Sequence, residues 1–227
     1  VPMDLNIVTF IFFALAVVVF IQLRNVLGRR TGNERRPFDP YAKSKAEPAA
    51  VEKTAALPPA AKSAPFAAID AYAPAGSELN EDLRAIGRAD GSFAPQEFLT
   101  GAKAAYEMIL TAFARGRRGD LQNLLAKNIY ENFVTALEQR SATGETVKFS
   151  FIGAERAEIV AAELEKGRAR LTVSFKGEII SATYDKAGQL IDGDEQNIVV
   201  LRDRWTFARE LASKSPDWLL VATEDEE

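Results

Sequence analysis

The sequence predicts an α+β domain carried behind a single transmembrane helix and a spacer. Three observations lead there: an apolar run before residue 24, seven of the ten prolines between residues 37 and 76, and a change of apolar period near Gly144. Apolar residues every three or four positions make one face of a helix, and every second position one face of a strand. Helices first and strands after is the order of helices packed on one face of a sheet. The expected segments are a short tail (1–4), a transmembrane helix (5–23), a basic juxtamembrane segment (24–36), a Pro/Ala-rich linker (37–79), a folded domain (80–224) and an acidic tail (225–227).

The first element is the run from Leu5 to Leu23, in which Thr9 is the one polar side chain between Ile7 and Ile21. About 20 apolar residues at 1.5 Å rise cross a hydrocarbon core of about 30 Å. Arg24, Arg29, Arg30, Arg35 and Arg36 follow, opposed only by Glu34. Such a basic flank stays in the cytoplasm, which predicts a single-pass inner-membrane protein with its C-terminal domain in the cytoplasm. The charge lies on the wrong side of the run for a cleaved signal peptide, and no small-x-small site follows. These arginines are the candidates for contact with anionic lipid heads.

Composition narrows the chemistry. The 227 residues include no Cys and no His, which removes thiol nucleophiles, thiolate–zinc sites, disulfides and histidine bases. Residues 1–76 balance at +3 and residues 77–227 at −7. A domain at −7 is a poor partner for nucleic acid, whose binding rests on phosphate neutralisation. The prolines of residues 37–76 oppose regular helix, so the segment reads as a semi-extended tether. Phe66–Ile69 and Tyr72 are apolar islands within it, and docking motifs are the other reading of them.

Order is expected from about Asn80. Leu83 and Ile86 mark a short helix that Asp90–Gly91 breaks, and Pro95 suits the first position of the next, with Glu97 in its first turn. Phe98, Leu99, Ala102, Tyr106, Ile109 and Phe113 give that helix a wide apolar face ending at Arg115–Gly119. Asp120 is placed to cap a unit holding Leu121, Leu124 and Leu125, and Ile129, Phe133 and Leu137 stripe a further helix to about Ala142. Then Val147, Phe149 and Phe151 alternate with polar neighbours, as do Ala169, Leu171, Val173 and Phe175. Glu165–Gly167 reads as a turn, Tyr184–Gln196 as a longer one, and strands over Ile198–Arg209 and Trp218–Thr223 complete a four-stranded sheet.

Tyr106, Phe113, Tyr130, Phe133, Trp205 and Phe207 carry two readings, core packing or the lining of an apolar pocket. Asp185, Asp192, Asp194 and Glu195 lack the ligand spacing of an EF-hand loop and read as a solvated hairpin turn, with no metal expected. Arg115, Arg117 and Arg118 read as compensation of a helix C-terminus, and binding of phosphate or an acidic partner is the other reading of them. Asp203 is the one acid–base candidate, and pairing with Arg202 or Arg204 accounts for it more simply. No catalytic residue and no cofactor are expected.

Four stretches together resemble one family. They are Phe98-Leu-Thr-Gly-Ala-Lys-Ala-Ala-Tyr-Glu-Met-Ile109, Gly119-Asp120-Leu121, Val199–Arg209 with its Asp203-Arg-Trp-Thr-Phe-Ala-Arg core, and Pro216-Asp-Trp-Leu-Leu-Val-Ala-Thr223. In order and spacing they resemble the C-terminal domain of the mitochondrial import-motor scaffold, the Tim-forty-four family, and the anchor and linker resemble its membrane-anchored alphaproteobacterial branch. The resemblance implies a cone like that of nuclear-transport-factor-two, whose curved antiparallel sheet and helices enclose an apolar pocket. It also implies a non-enzymatic adaptor at the inner membrane that binds protein clients or partners and assists membrane-protein biogenesis or translocation. The alternative is a module whose pocket binds lipid or a small apolar ligand. The family's long charged N-terminal region, which recruits a chaperone, has no counterpart here, so that role is not implied.

Overall fold

The computed structural model describes residues 66–213 and 215–225. The anchor, the basic segment with its five arginines, and the linker as far as residue 65 lie outside the described residues. Among the described residues no helix is long and apolar enough to cross a membrane.

Five helices precede four strands: α1 Ala67–Tyr72, α2 Glu78–Ala89, α3 Pro95–Ala114, α4 Arg118–Gln122 and α5 Lys127–Thr143, then β1 Thr146–Glu165, β2 Arg168–Tyr184, β3 Leu190–Glu210 and β4 Leu219–Asp225. The strands form one antiparallel sheet in the order β1-β2-β3-β4. One face of β2 buries Ala169, Leu171, Val173 and Phe175 under the helices, while Thr172 on the other face meets Thr206 of β3.

The linker does not run to residue 79. Residues 67–72 form α1, and Pro74 follows it rather than breaks it, since proline is excluded only from a helix interior. Ile69 of α1 is buried, and the Phe66 ring lies under the guanidinium groups of Arg84 and Arg88 at 5.3 and 5.8 Å. Asp70 accepts from Arg84 at 2.7 Å and from Asn80 Nδ2 at 3.0 Å. Tyr72 reaches across to accept the Ile159 amide of edge strand β1 at 2.7 Å. So Ile69 belongs to the core and the half-buried Phe66 and Tyr72 pack against it, while Ala67 and Ala68 stay exposed.

Gly87 lets α1 lie close on α2, because a Cβ there would stand 2.9 Å from the terminal methyl of Ile69 and 3.4 Å from the Phe66 ring. Gly87→Leu is expected to cost about 1–3 kcal/mol by overpacking. It should strip hydrogen-exchange protection from residues 67–72 while α3 and β2 keep theirs, and unchanged protection in α1 would contradict this packing.

Ser77 caps α2 by accepting the Asn80 amide at 3.2 Å. Pro95 stands at the start of α3 as expected, and Gly144 ends α5 at φ +74°. Asp120 is not a cap: it falls in the first turn of α4, where its carboxylate meets Arg117 at 3.2 Å. The C-terminus of α3 is compensated from another helix, for Arg140 of α5 donates to the carbonyls of Phe113 and Ala114 at 2.9 and 3.0 Å.

The strands are longer than their alternation suggests. Three register shifts interrupt β1, at Phe151/Gly153, Ala154/Arg156 and Ile159/Ala161. Each bulge reverses which residues face inward, so a period-two reading ends at the first. β3 starts at Leu190, and the turn before it is short: Asp185 Oδ1 accepts the amides of Ala187 and Gln189, both at 2.8 Å. Between the pairs Ile179↔Val199 and Ser181↔Asp194 the strand swings Glu195–Ile198 outward opposite the single residue Ile180. Asp194 secures this bulge by accepting the Gln196 amide at 2.7 Å, and Glu195 is held by Lys148 at 2.7 Å. β4 takes in Asp225, which the sequence reading assigned to the tail.

Candidate functional site

Two features stand out in the space between helices and sheet. One is a polar pair, a buried tyrosine on a half-buried aspartate, and the other is an open apolar groove.

The pair joins α3 to β3. Tyr106 is fully buried, its ring stacked on Phe175 at 4.4 Å and edge-on to Trp205 at 4.6 Å. Its hydroxyl donates to Oδ2 of Asp203. Strand neighbours point to opposite faces, so Arg202 and Arg204 face away from the side of the sheet that Asp203 shares with Trp205. The expected pairing of Asp203 with those arginines therefore gives way to the Tyr106 contact. Burial pushes the Asp203 carboxyl up to about 6; the phenol opposes this, and Asp225, opposite it on β4, adds to it. Burial and the neighbouring carboxylate push the Tyr106 phenol upward too, which keeps its proton in place as the donor. Gly177 makes the room, because a Cβ there would stand 2.9 Å from the Tyr106 hydroxyl.

The groove lies between the C-terminal halves of α3 and α5 and the sheet, with a volume of about 340 Å³. That falls within the range of about 300–1,000 Å³ common for small-molecule sites. Its apolar wall is built by Leu110 and Phe113 of α3, Val147 and Phe149 of β1, and Val199 and Leu201 of β3. Its polar end holds Arg140, Glu145, Ser181, Thr183 and Asp192. Arg140 lies 5.4 Å over the Phe113 ring, and burial lowers its pKa while Glu145 works the other way. Burial raises the Asp192 carboxyl, opposed by the Gly193 amide.

The six aromatics singled out from sequence do not converge. Phe113 lines the groove, with Phe133 edge-on behind it at 5.1 Å. Tyr106 and Trp205 belong to the sealed core, and Tyr130 is half-buried against it. Phe207 backs a second cavity of about 380 Å³, beside Phe98, Trp218 and the Asp90–Arg209 ion pair. The groove residues that sequence reasoning missed are mostly aliphatic side chains of alternating strands. Asp192 was visible only as part of an acidic hairpin. Among the described residues no cluster of His, Cys, Asp and Glu is arranged to hold a metal.

Residues 79–225 match a family model described as Tim44-like domain. No curated protein matches the chain. Among solved structures, the chain is similar to the intermembrane space region of the chloroplast protein ARC6, with 11% identity and a TM-score of 0.41 over 56% of this chain and 95% of that one. It is also similar to a conserved protein from Planctomyces limnophilus, with 14% identity and a TM-score of 0.33 over 58% of this chain and 98% of that one.

Proposed function

The chain belongs to the Tim44-like domain family, and from that premise we propose that it is a membrane-associated, non-catalytic scaffold or adaptor. The observation that carries this reading is the extent of the match, which takes in α2 through β4 and so nearly all of the folded domain. The apolar run Leu5–Leu23 with its arginine flank supports a single-pass anchor in a bacterial inner membrane, with the domain on the cytoplasmic side. Protein clients or partners are the expected cargo, in the biogenesis or translocation of membrane proteins. The surroundings of Asp203, the one acid–base candidate, favour a non-catalytic domain, since its carboxylate is engaged by Tyr106 of the aromatic core.

A second reading is favoured by the groove itself, whose wall of Phe113, Val147, Phe149, Val199 and Leu201 suits a lipid or a small apolar ligand.

The membrane assignment has a direct test. Alkaline carbonate extraction should leave the full chain in the membrane pellet and release a variant lacking residues 5–23, while an oxidation-sensitive reporter at the C-terminus reports a reducing compartment. Release of the full chain, or a periplasmic reporter signal, would overturn the anchor or its orientation respectively.

A further inference from the structure

The second cavity, of about 380 Å³, is a cleft lined by the α2–α3 loop, the first half of α3 and the β3–β4 loop. Phe93 and Trp218, both half-buried with ring centroids 6.4 Å apart, give it an aromatic wall, and α3 contributes Gly101 and Ala105. Gly101 is exposed in the interior of α3, where glycine weakens a helix relative to alanine. A Cβ there would meet nothing within 4 Å, so the domain's own packing does not call for glycine at this position. A second backbone lying close on α3 does. The lining carries three carboxylates, Asp90, Glu97 and Asp217, against one guanidinium, Arg209. Arg209 is bound to Asp90 and stacked over Trp218 at 5.4 Å, and Glu97 and Asp217 are exposed.

The described chain begins near this cleft. Phe66 lies under Arg88 at 5.8 Å and beside Gly87, and Asp90 of the cleft lining follows Gly87 by three residues, about 4.5 Å of helical rise. Immediately upstream the sequence reads Leu57-Pro-Pro-Ala-Ala-Lys-Ser-Ala-Pro65, in which Lys62 is the one charge. In an extended polyproline form residues 60–65 span about 19 Å, enough to bring the proline pair to the cleft. Proline pairs suit aromatic-lined grooves because their extended form is ordered before docking.

We propose that the cleft seats this chain's own segment Leu57–Lys62, with Pro58 and Pro59 against Phe93 and Trp218, its backbone over Gly101, and Lys62 beside Glu97 and Asp217. This goes beyond the scaffold reading, since a seated segment shortens the tether between the domain and the apolar run of residues 5–23.

The chain lacks cysteine, so an introduced pair reports the contact without background. In the full chain reconstituted in phosphatidylcholine vesicles, Ala60→Cys with Ala105→Cys should form an intrachain disulfide under mild oxidation about tenfold faster than Ala60→Cys with Ser150→Cys, the ratio that seating adds to a tethered encounter. Ser150 is exposed on β1 and does not line the cleft. Replacing Pro58 and Pro59 with serine leaves the domain intact and should erase the advantage, as should Gly101→Gln, which fills the space over α3. Lys62→Glu should reduce it about threefold, the size of one surface ion pair. Equal rates for the two cysteine pairs, or an advantage that survives both the serine replacements and Gly101→Gln, overturns the proposal. A disulfide between chains in place of one within a chain overturns the own-segment occupant and gives the cleft to the same segment of a second copy.

Discussion

Replacing Asp203 with asparagine is expected to stabilise the fold at neutral pH by about 2–3 kcal/mol, because folding raises this carboxyl from an ordinary 3.8 to about 6. A raised acid binds its proton more tightly in the native state than in the unfolded one. Its favourable contribution is therefore complete below an ordinary carboxylate pKa and is lost as pH rises through 6. Asparagine keeps an acceptor for the Tyr106 hydroxyl and carries no charge to desolvate. The gap between variant and parent should be near zero at pH 4, open between 4 and 6, and reach its full size above 7.

Other carboxylates run the opposite way. Hydrogen bonds from Arg84 and Asn80 hold Asp70 low, and, against the pull of burial, Ser92 and Arg209 hold Asp90 low. Their contributions are present above the ordinary carboxylate pKa and are lost as pH falls. Parent and variant share them, so they cancel in the difference. Urea unfolding at several pH values reads that difference, and a gap independent of pH would show that Asp203 is not buried as a charge.

Truncation of Tyr106 to alanine has the largest expected effect on stability, a loss of about 3–5 kcal/mol. It removes a fully buried ring from the faces of Phe175 and Trp205 and leaves Asp203 without its donor. With total stability of about 5–15 kcal/mol for a typical domain, much of the population would be unfolded near body temperature. Tyr106→Phe separates the two causes, since it keeps the ring and removes the hydroxyl, and about 1–3 kcal/mol should be lost. Most of that loss should disappear when Tyr106→Phe is combined with Asp203→Asn, because no buried charge is then stranded. Full additivity of the two changes would deny the coupling.

The fold was legible where one apolar period ran without interruption. α3, α5 and β2 are such elements: Phe98, Leu99, Ala102, Tyr106 and Ile109, then Ile129, Phe133 and Leu137, and Ala169, Leu171, Val173 and Phe175 are buried, while Leu110, Phe113, Tyr130 and Val134 on the same faces are half-buried. Legibility failed where a local device broke the period. The bulges of β1 and the four residues swung out of β3 hid half of each strand, and proline density concealed a helix that the prolines only delimit. The groove was harder still. Its wall draws one or two side chains from each of several elements, so no window of sequence contains it, and aromatic content pointed instead to the core around Tyr106.

The adaptor reading stands or falls on what meets the domain in its own membrane. A photoreactive residue at Ile198, exposed on the β3 bulge, irradiated in intact membranes and followed by mass spectrometry, tests this most directly. The account predicts adducts to protein, and their loss when residues 5–23 are removed. Adducts to lipid alone, with the membrane anchor intact, would contradict it.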